Sequence, residues 1–148
     1  MKIISKNKKA SHEYFLTDKY ECGIVLKGTE IKSIRAAKVS IKDAYARIKG
    51  NEIFIVGMHI SRYDHGNMFN HEETRTRKLL LHKKEIIKIT NKVNQDALTL
   101  IPTLVYLEGG LCKIEICLAK GKKNYDKRQV LKEKDANRRI QKILKENY

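Results

Sequence analysis

The sequence predicts a mainly β fold, a small closed or nearly closed barrel with short flanking helices and a basic C-terminal tail. Two stretches alternate apolar and polar side chains around glycine turns, which is the signature of antiparallel strand pairs. Apolar residues make up 41% of the 148 positions, enough for a small core. They never form the run of roughly 18 that a membrane helix requires. Lys and Arg number 32 against 17 Asp and Glu, a net charge of +15. A field of that size points to a polyanionic partner, a nucleic acid or an anionic membrane surface, and is silent about fold.

The elements follow in chain order. Residues 14–26 suit one strand, interrupted near Asp18. Gly28-Thr29-Glu30-Ile31-Lys32-Ser33-Ile34-Arg35 suits a short helix, with Thr29 able to cap its first amides. Ile31 and Ile34 can then turn inward, while Lys32 and Arg35, also three apart, share a neighbouring face. Ala44 to Ile48 and Ile53 to Val56 flank Gly50-Asn51 as a hairpin. A second helix is predicted over residues 83–93, where Ile86, Ile89 and Val93 recur at helical spacing. The last pair, Leu98 to Leu107 and Leu111 to Leu118, joins across Gly109-Gly110. Pro102, the only proline, lies inside the first of these and places it at an edge or bulge. About five strands in about 118 residues suggest a barrel.

The charge divides unevenly. Residues 119–148 hold 11 Lys and Arg with 4 Asp and Glu, net +7, against 21 and 13, net +8, before them. Such a segment buries too little apolar surface to fold alone, although its helix formers allow partial helix. The chain therefore divides into a barrel domain, residues 1–119, and a tail, residues 120–148. From Lys127 to the end are 22 positions, about 33 Å if helical.

Four constellations could carry chemistry. Arg75, Arg77 and Lys78, close together before Leu79, suit phosphate contacts, or else a solvated loop. Lys8 and Lys9 with His12 form a weaker basic group near the N-terminus. Lys120, Lys122 and Lys123 precede Tyr125, Asp126, Lys127 and Arg128, so an aromatic interleaved with cations could stack on a base while phosphates are neutralised. Glu30 sits among Lys27, Lys32 and Arg35. It is either part of a charge mosaic or an acceptor for a base amino group or ribose hydroxyl.

Other chemistries are poorly supported. Five histidines are present, and an RNA-cleaving pair would need two of them with a lysine, but no spacing brings a chosen pair together. His59 at a strand end suits packing or hydrogen bonding. Asp64-His65 and His71-Glu72-Glu73 lack metal-ligand spacing. Cys22, Cys112 and Cys117 are too few and too irregular for a disulfide framework or zinc site. Cys112 and Cys117, five apart, would face opposite sides of one strand. Free thiols and the absence of a secretory leader pattern at the N-terminus suit a soluble cytoplasmic protein without metal or cofactor.

The order of motifs resembles the SsrA-binding protein (SmpB) family. The likeness rests on Asn7-Lys8-Lys9-Ala10 with His12-Glu13-Tyr14, on residues 28–35, on Arg75 through His82, and on Ala119-Lys120-Gly121-Lys122-Lys123 running into Tyr125 to Arg128. It implies an oligonucleotide-binding-type β-barrel, binding to the tRNA-like domain of transfer-messenger RNA, and delivery of that RNA to stalled ribosomes for trans-translation. It also implies that Glu30 and the basic helix meet the RNA elbow, that Lys120, Lys122 and Lys123 lie beside RNA, and that Tyr125, Asp126, Lys127 and Arg128 open a tail that enters the empty mRNA path at the decoding centre. Three departures touch packing and loop stiffness: Cys22 where Ala is usual, Ala37 where Gly is common, and Glu73-Thr74 in place of Asp-Pro. The resulting expectation is a non-catalytic, monomeric RNA-binding adaptor with no membrane role. A general ribosome-associated or ribosome-assembly protein is the alternative.

Overall fold

The structure is a computed structural model and describes residues 1–63 and 70–122. The elements run β1 (Lys2–Lys6), α1 (Ala10–Glu13), β2 (Tyr14–Ile24), α2 (Gly28–Arg35), β3 (Val39–Ser40), β4 (Tyr45–Lys49), β5 (Glu52–Val56), β6 (His59–Ile60), β7 (Arg77–Leu80), α3 (Lys83–Asp96), β8 (Thr99–Glu108) and β9 (Leu111–Gly121). Seven strands form one antiparallel sheet in the order β1-β8-β4-β5-β7-β2-β9. Because β8 also pairs with β9, the sheet closes on itself as a barrel of six strands. The closing contact between β4 and β8 is short, Ala46 opposite Leu100, and β1 continues along the same edge of β8 from Leu104 to Leu107. Closure leaves few unpaired backbone groups, the general advantage of a barrel.

Both predicted hairpins form. Gly50 and Gly110 take the left-handed backbone that such tight turns require. The strand from Tyr14 is broken by a register shift between Leu16 and Lys19, beside Asp18. Pro102 lies at a bulge: the β8–β9 register shifts between Pro102 and Leu104. It is not at a free edge, because β8 is paired on both sides. Missing its N–H, proline is accommodated where the ladder is already interrupted.

The core gathers Ile53, Ile55, Met58, Ile60, Leu79, Ile114 and Ile116, all essentially inaccessible. From α3, Ile89 is buried in it, with Ile86 and Val93 packed against it. Cys22 and Cys112 lie in this core, whereas Cys117 sits on the opposite side of β9, 3.6 Å from the Thr103 hydroxyl. All three thiols are free and buried. Burial pushes Cys22 up to about 12 and Cys112 to about 11, so they remain protonated and unreactive. A small satellite cluster of Ala10, Ile101 and Ala119, with Tyr14 and Leu16, seats α1 on the barrel.

One departure noted in the sequence becomes a measurable strain. Ala37, directly after the C-terminal end of α2, has φ of 60°. That left-handed geometry costs a residue with a Cβ about 1–2 kcal/mol, and glycine escapes the cost while losing some entropy on folding. Ala37→Gly is therefore expected to stabilise the chain by about 0.5–1 kcal/mol, seen as a higher denaturation midpoint with unchanged slope. A lower midpoint would show that the backbone there is not left-handed.

Candidate nucleic-acid interface

Local sequence sets the first half of the site. α2 starts after Lys27, whose amide donates to Glu30 Oε1 at 2.7 Å, so Glu30 reaches back and caps its own helix. Thr29 does not provide the cap. Its hydroxyl lies 2.9 Å from His71 Nδ1, and His71 Nε2 is 2.8 Å from the Ile60 carbonyl. A carbonyl only accepts, so Nε2 carries a hydrogen, and the ring ties the start of α2 to β6.

The Glu30 carboxylate is completely buried, and it holds two arginines from the segment leading into β7. Arg75 Nη2 donates to Oε1 at 2.6 Å, and Arg77 Nε donates to Oε2 at 2.5 Å. Arg77 is itself fully buried and spends its other donors on the carbonyls of Met58 at 2.7 Å and Glu73 at 3.2 Å. Burial alone would raise Glu30. Donors from Arg75, the Lys27 amide and Arg77 outweigh it and hold the carboxyl below its usual range. Burial lowers Arg77 from its ordinary value, and Glu30 opposes that. We take the pair as ionised, since every donor facing the carboxylate favours its charged form.

In this structure neither Glu30 nor Arg77 is presented to a ligand. Glu30 has no free oxygen to offer a base or a ribose, and Arg77 has no surface with which to meet a phosphate. They tie α2 to β7, and α2 carries the exposed Lys32 and Arg35. Lys32 Nζ stands 5.4 Å from the centre of the Tyr63 ring, a cation–π contact that orients the charge without neutralising it. Arg75 retains 27% side-chain exposure. Lys78 is paired with Glu52 across neighbouring strands, so it too contributes less free charge than its position suggests.

The second half forms where the N-terminal segment meets the end of β9. Asn7 is the anchor: its side-chain amide donates to the carbonyls of Ile41 at 3.3 Å and Pro102 at 3.1 Å, and its oxygen accepts from the Ala10 amide at 3.2 Å. With α1 fixed in this way, Lys8, Lys9 and His12 are presented on the surface. Lys122 joins them, donating to the Ser11 carbonyl at 2.8 Å and lying 5.1 Å from the Phe15 ring centre. Neither partner is anionic, so neither of these two contacts balances the lysine charge. Lys120, opposite Phe15 in the β2–β9 ladder, is exposed on the same strand end. It belongs to β9, which carries the ordered strand two residues past the expected boundary at residue 119. Lys123, Tyr125, Asp126, Lys127 and Arg128 lie outside the described residues.

The N-terminal segment thus holds more structure than its charge suggested, and Asn7 is the residue that composition overlooked. Its signal was present in the motif Asn7-Lys8-Lys9-Ala10: an Asn three residues before a buried Ala is a local side-chain-to-backbone turn. The arrangement offers two exposed basic groups on a rigid barrel, flanked by the accessible ring of Phe15, 40% exposed. That combination suits phosphate neutralisation with one stacking surface. Among the described residues no cluster of three or more His, Cys, Asp or Glu could hold a metal. No described helix is long and apolar enough to cross a membrane.

Comparison with known proteins is consistent from end to end. A family profile described as SmpB protein matches residues 4–146. The chain is 53% identical to the SsrA-binding protein of Desulfitobacterium hafniense over 146 residues, covering 99% of this chain and 94% of that one. It is 51% identical to the SsrA-binding protein of Carboxydothermus hydrogenoformans, covering 99% of each. A chain of a solved structure described as "tmRNA-SmpB: a journey to the center of the bacterial ribosome" superimposes with a TM-score of 0.67 at 41% identity, covering 80% of this chain and 83% of that chain.

Proposed function

The chain belongs to the SmpB protein family, and from that premise we propose that it binds the tRNA-like domain of transfer-messenger RNA and delivers it to stalled ribosomes, where trans-translation begins. The observation that carries this reading is the match over residues 4–146, which spans the barrel and nearly all of the basic tail together. The protein works as an adaptor in the cytoplasm and catalyses nothing itself. Lys8, Lys9, His12, Lys120 and Lys122 in one group and Lys32 and Arg35 on α2 in another supply the RNA contacts, and the framework of Glu30, Arg75 and Arg77 keeps α2 in place. Lys123 adds to the RNA contacts, and Tyr125 to Arg128 begin the segment that meets the ribosome.

The division of labour is testable. The full chain is expected to bind the tRNA-like domain at least about tenfold, or 1.4 kcal/mol, more tightly than an ordinary tRNA. A chain ending at Lys127 is expected to keep that affinity while peptide tagging on ribosomes lacking a stop codon is abolished. Equal affinity for both RNAs would sink the RNA assignment; loss of affinity in the shortened chain would sink the separate role of the tail.

A further inference from the structure

A groove of about 640 Å³ lies between the β2–β9 ladder and the C-terminal half of α3. Phe15 and Leu118 line it from the ladder, and Asp96 and Leu98 line it where α3 ends. It sits at the register shift between Leu16 and Lys19, where the ladder opens. Apart from Lys120 on its rim, none of the RNA contacts assigned above uses it.

The path of the chain points to an occupant. Lys122 ends the described residues, and its ammonium stands 5.1 Å from the centre of the Phe15 ring, so the backbone leaves β9 at the rim of the groove. Three more residues reach about 10 Å when extended, which places Tyr125 within range of the groove. A segment tethered this closely has an effective concentration in the millimolar range. A second copy of the chain in dilute solution does not.

Charge and polarity point the same way. α3 ends on Asp96 and has no basic residue in its last turn, although a helix C-terminus favours a cation. Lys92, which also lines the groove, is committed to Asp18, and Asp96 forms no ion pair among the described residues. The negative end of α3 therefore lacks a counter-charge. Phe15, 40% exposed, stands beside Leu98 and Leu118 as an apolar wall. The sequence that follows Lys122 carries both complements in order: the aromatic Tyr125, then the cations Lys127 and Arg128.

We propose that in the free protein this groove seats the root of the chain's own tail, Asn124 to Arg128, with the Tyr125 ring against Phe15 and Leu98 and with Lys127 and Arg128 at the acidic end of α3. The seat fixes where the remaining tail cations leave the barrel. It must be vacated when the ribosome takes Tyr125 to Arg128. That release rests on the adaptor reading, whereas the seat itself does not.

The chain contains no tryptophan, so Tyr125→Trp adds a single fluorescent reporter to the full-length protein, and Tyr148→Trp in a separate chain reports a tail position outside the seat. Both are measured without RNA. Emission at position 125 should lie to the blue of that at position 148, with acrylamide quenching about threefold weaker, the protection given by a seat filled about two-thirds of the time. Asp96→Lys should bring position 125 to the level of position 148. Its melting temperature should equal or exceed that of the parent, because a cation at the end of α3 suits the helix dipole. Adding Lys127→Glu and Arg128→Glu to Asp96→Lys should restore the protection by exchanging the charges. Equal quenching at positions 125 and 148, protection indifferent to Asp96→Lys, or a charge exchange that restores nothing overturns the seat. Protection that grows with protein concentration assigns the groove to the tail of another copy and overturns it too. With RNA absent throughout, each of these failures leaves the adaptor reading standing.

Discussion

Glu30→Gln is expected to cost about 3–5 kcal/mol of folding stability, the usual result of removing one member of a buried ion pair and leaving its partner charged. For a small domain with about 5–15 kcal/mol in total, that is a large share. The argument is geometric: both carboxylate oxygens accept charged hydrogen bonds, and the fully buried Arg77 has no solvent to turn to when one is lost. Arg75→Gln should cost less, because 27% of the Arg75 side chain already reaches water. Replacing Glu30 and Arg77 together by Met should cost less than the sum of the two single changes, although the Met58 and Glu73 carbonyls then lose their donor. The pH dependence has a definite sign. Glu30 is lowered in the folded chain, so its contribution is fully present above the unfolded glutamate value near 4.3 and is lost as pH falls through the lower folded value. Urea melts should therefore show an acid limb that Glu30→Gln lacks. A cost below about 1 kcal/mol would mean the carboxylate is not committed to the framework and is free for RNA after all.

The same network explains why part of the fold was legible in the sequence and part was not. Strands β4, β5, β8 and β9 announce themselves because their inward residues are apolar and their turns hold glycine. β7 does not. Its inward positions are Arg77 and Leu79 and its outward positions Lys78 and Leu80, so a buried arginine and an exposed leucine, 49% accessible, erase the alternation. The pairing that makes Arg77 tolerable inside joins residues 47 apart in the chain, and no local spacing rule reaches that far. β1 was obscured for another reason. Among the described residues it pairs only with β8, and it keeps lysines at both ends, so its composition resembles a mobile terminus. The α2 and β9 cations could be read from motif order, but whether each faces solvent depended on contacts that only the folded barrel defines.

That distinction leads to the second large effect, in the salt dependence of RNA binding. Changing Lys8, Lys9, Lys120 and Lys122 together to Gln is expected to remove about 3 to 4 units from the slope of log affinity against log salt, if each lysine meets one phosphate. Between about 50 and 200 mM salt, wild type would then lose roughly a hundredfold more affinity than the variant, while at low salt the variant binds far more weakly. Folding should be nearly unaffected, because Lys8, Lys9 and Lys120 are exposed and the Lys122 ammonium reaches only the surface carbonyl of Ser11 and the Phe15 ring. Arg77→Met should do the reverse. Its charge is hidden from any phosphate, so at temperatures where the variant remains folded the slope should stay at the wild-type value, even as the denaturation midpoint falls. Lys78→Gln should lie close to wild type in both measurements, since the charge it removes is already balanced by Glu52. If Arg77→Met lowered the slope in a demonstrably folded chain, the guanidinium would have to leave the barrel when RNA binds. The ion pair with Glu30 would then be a latch released by RNA rather than a permanent brace.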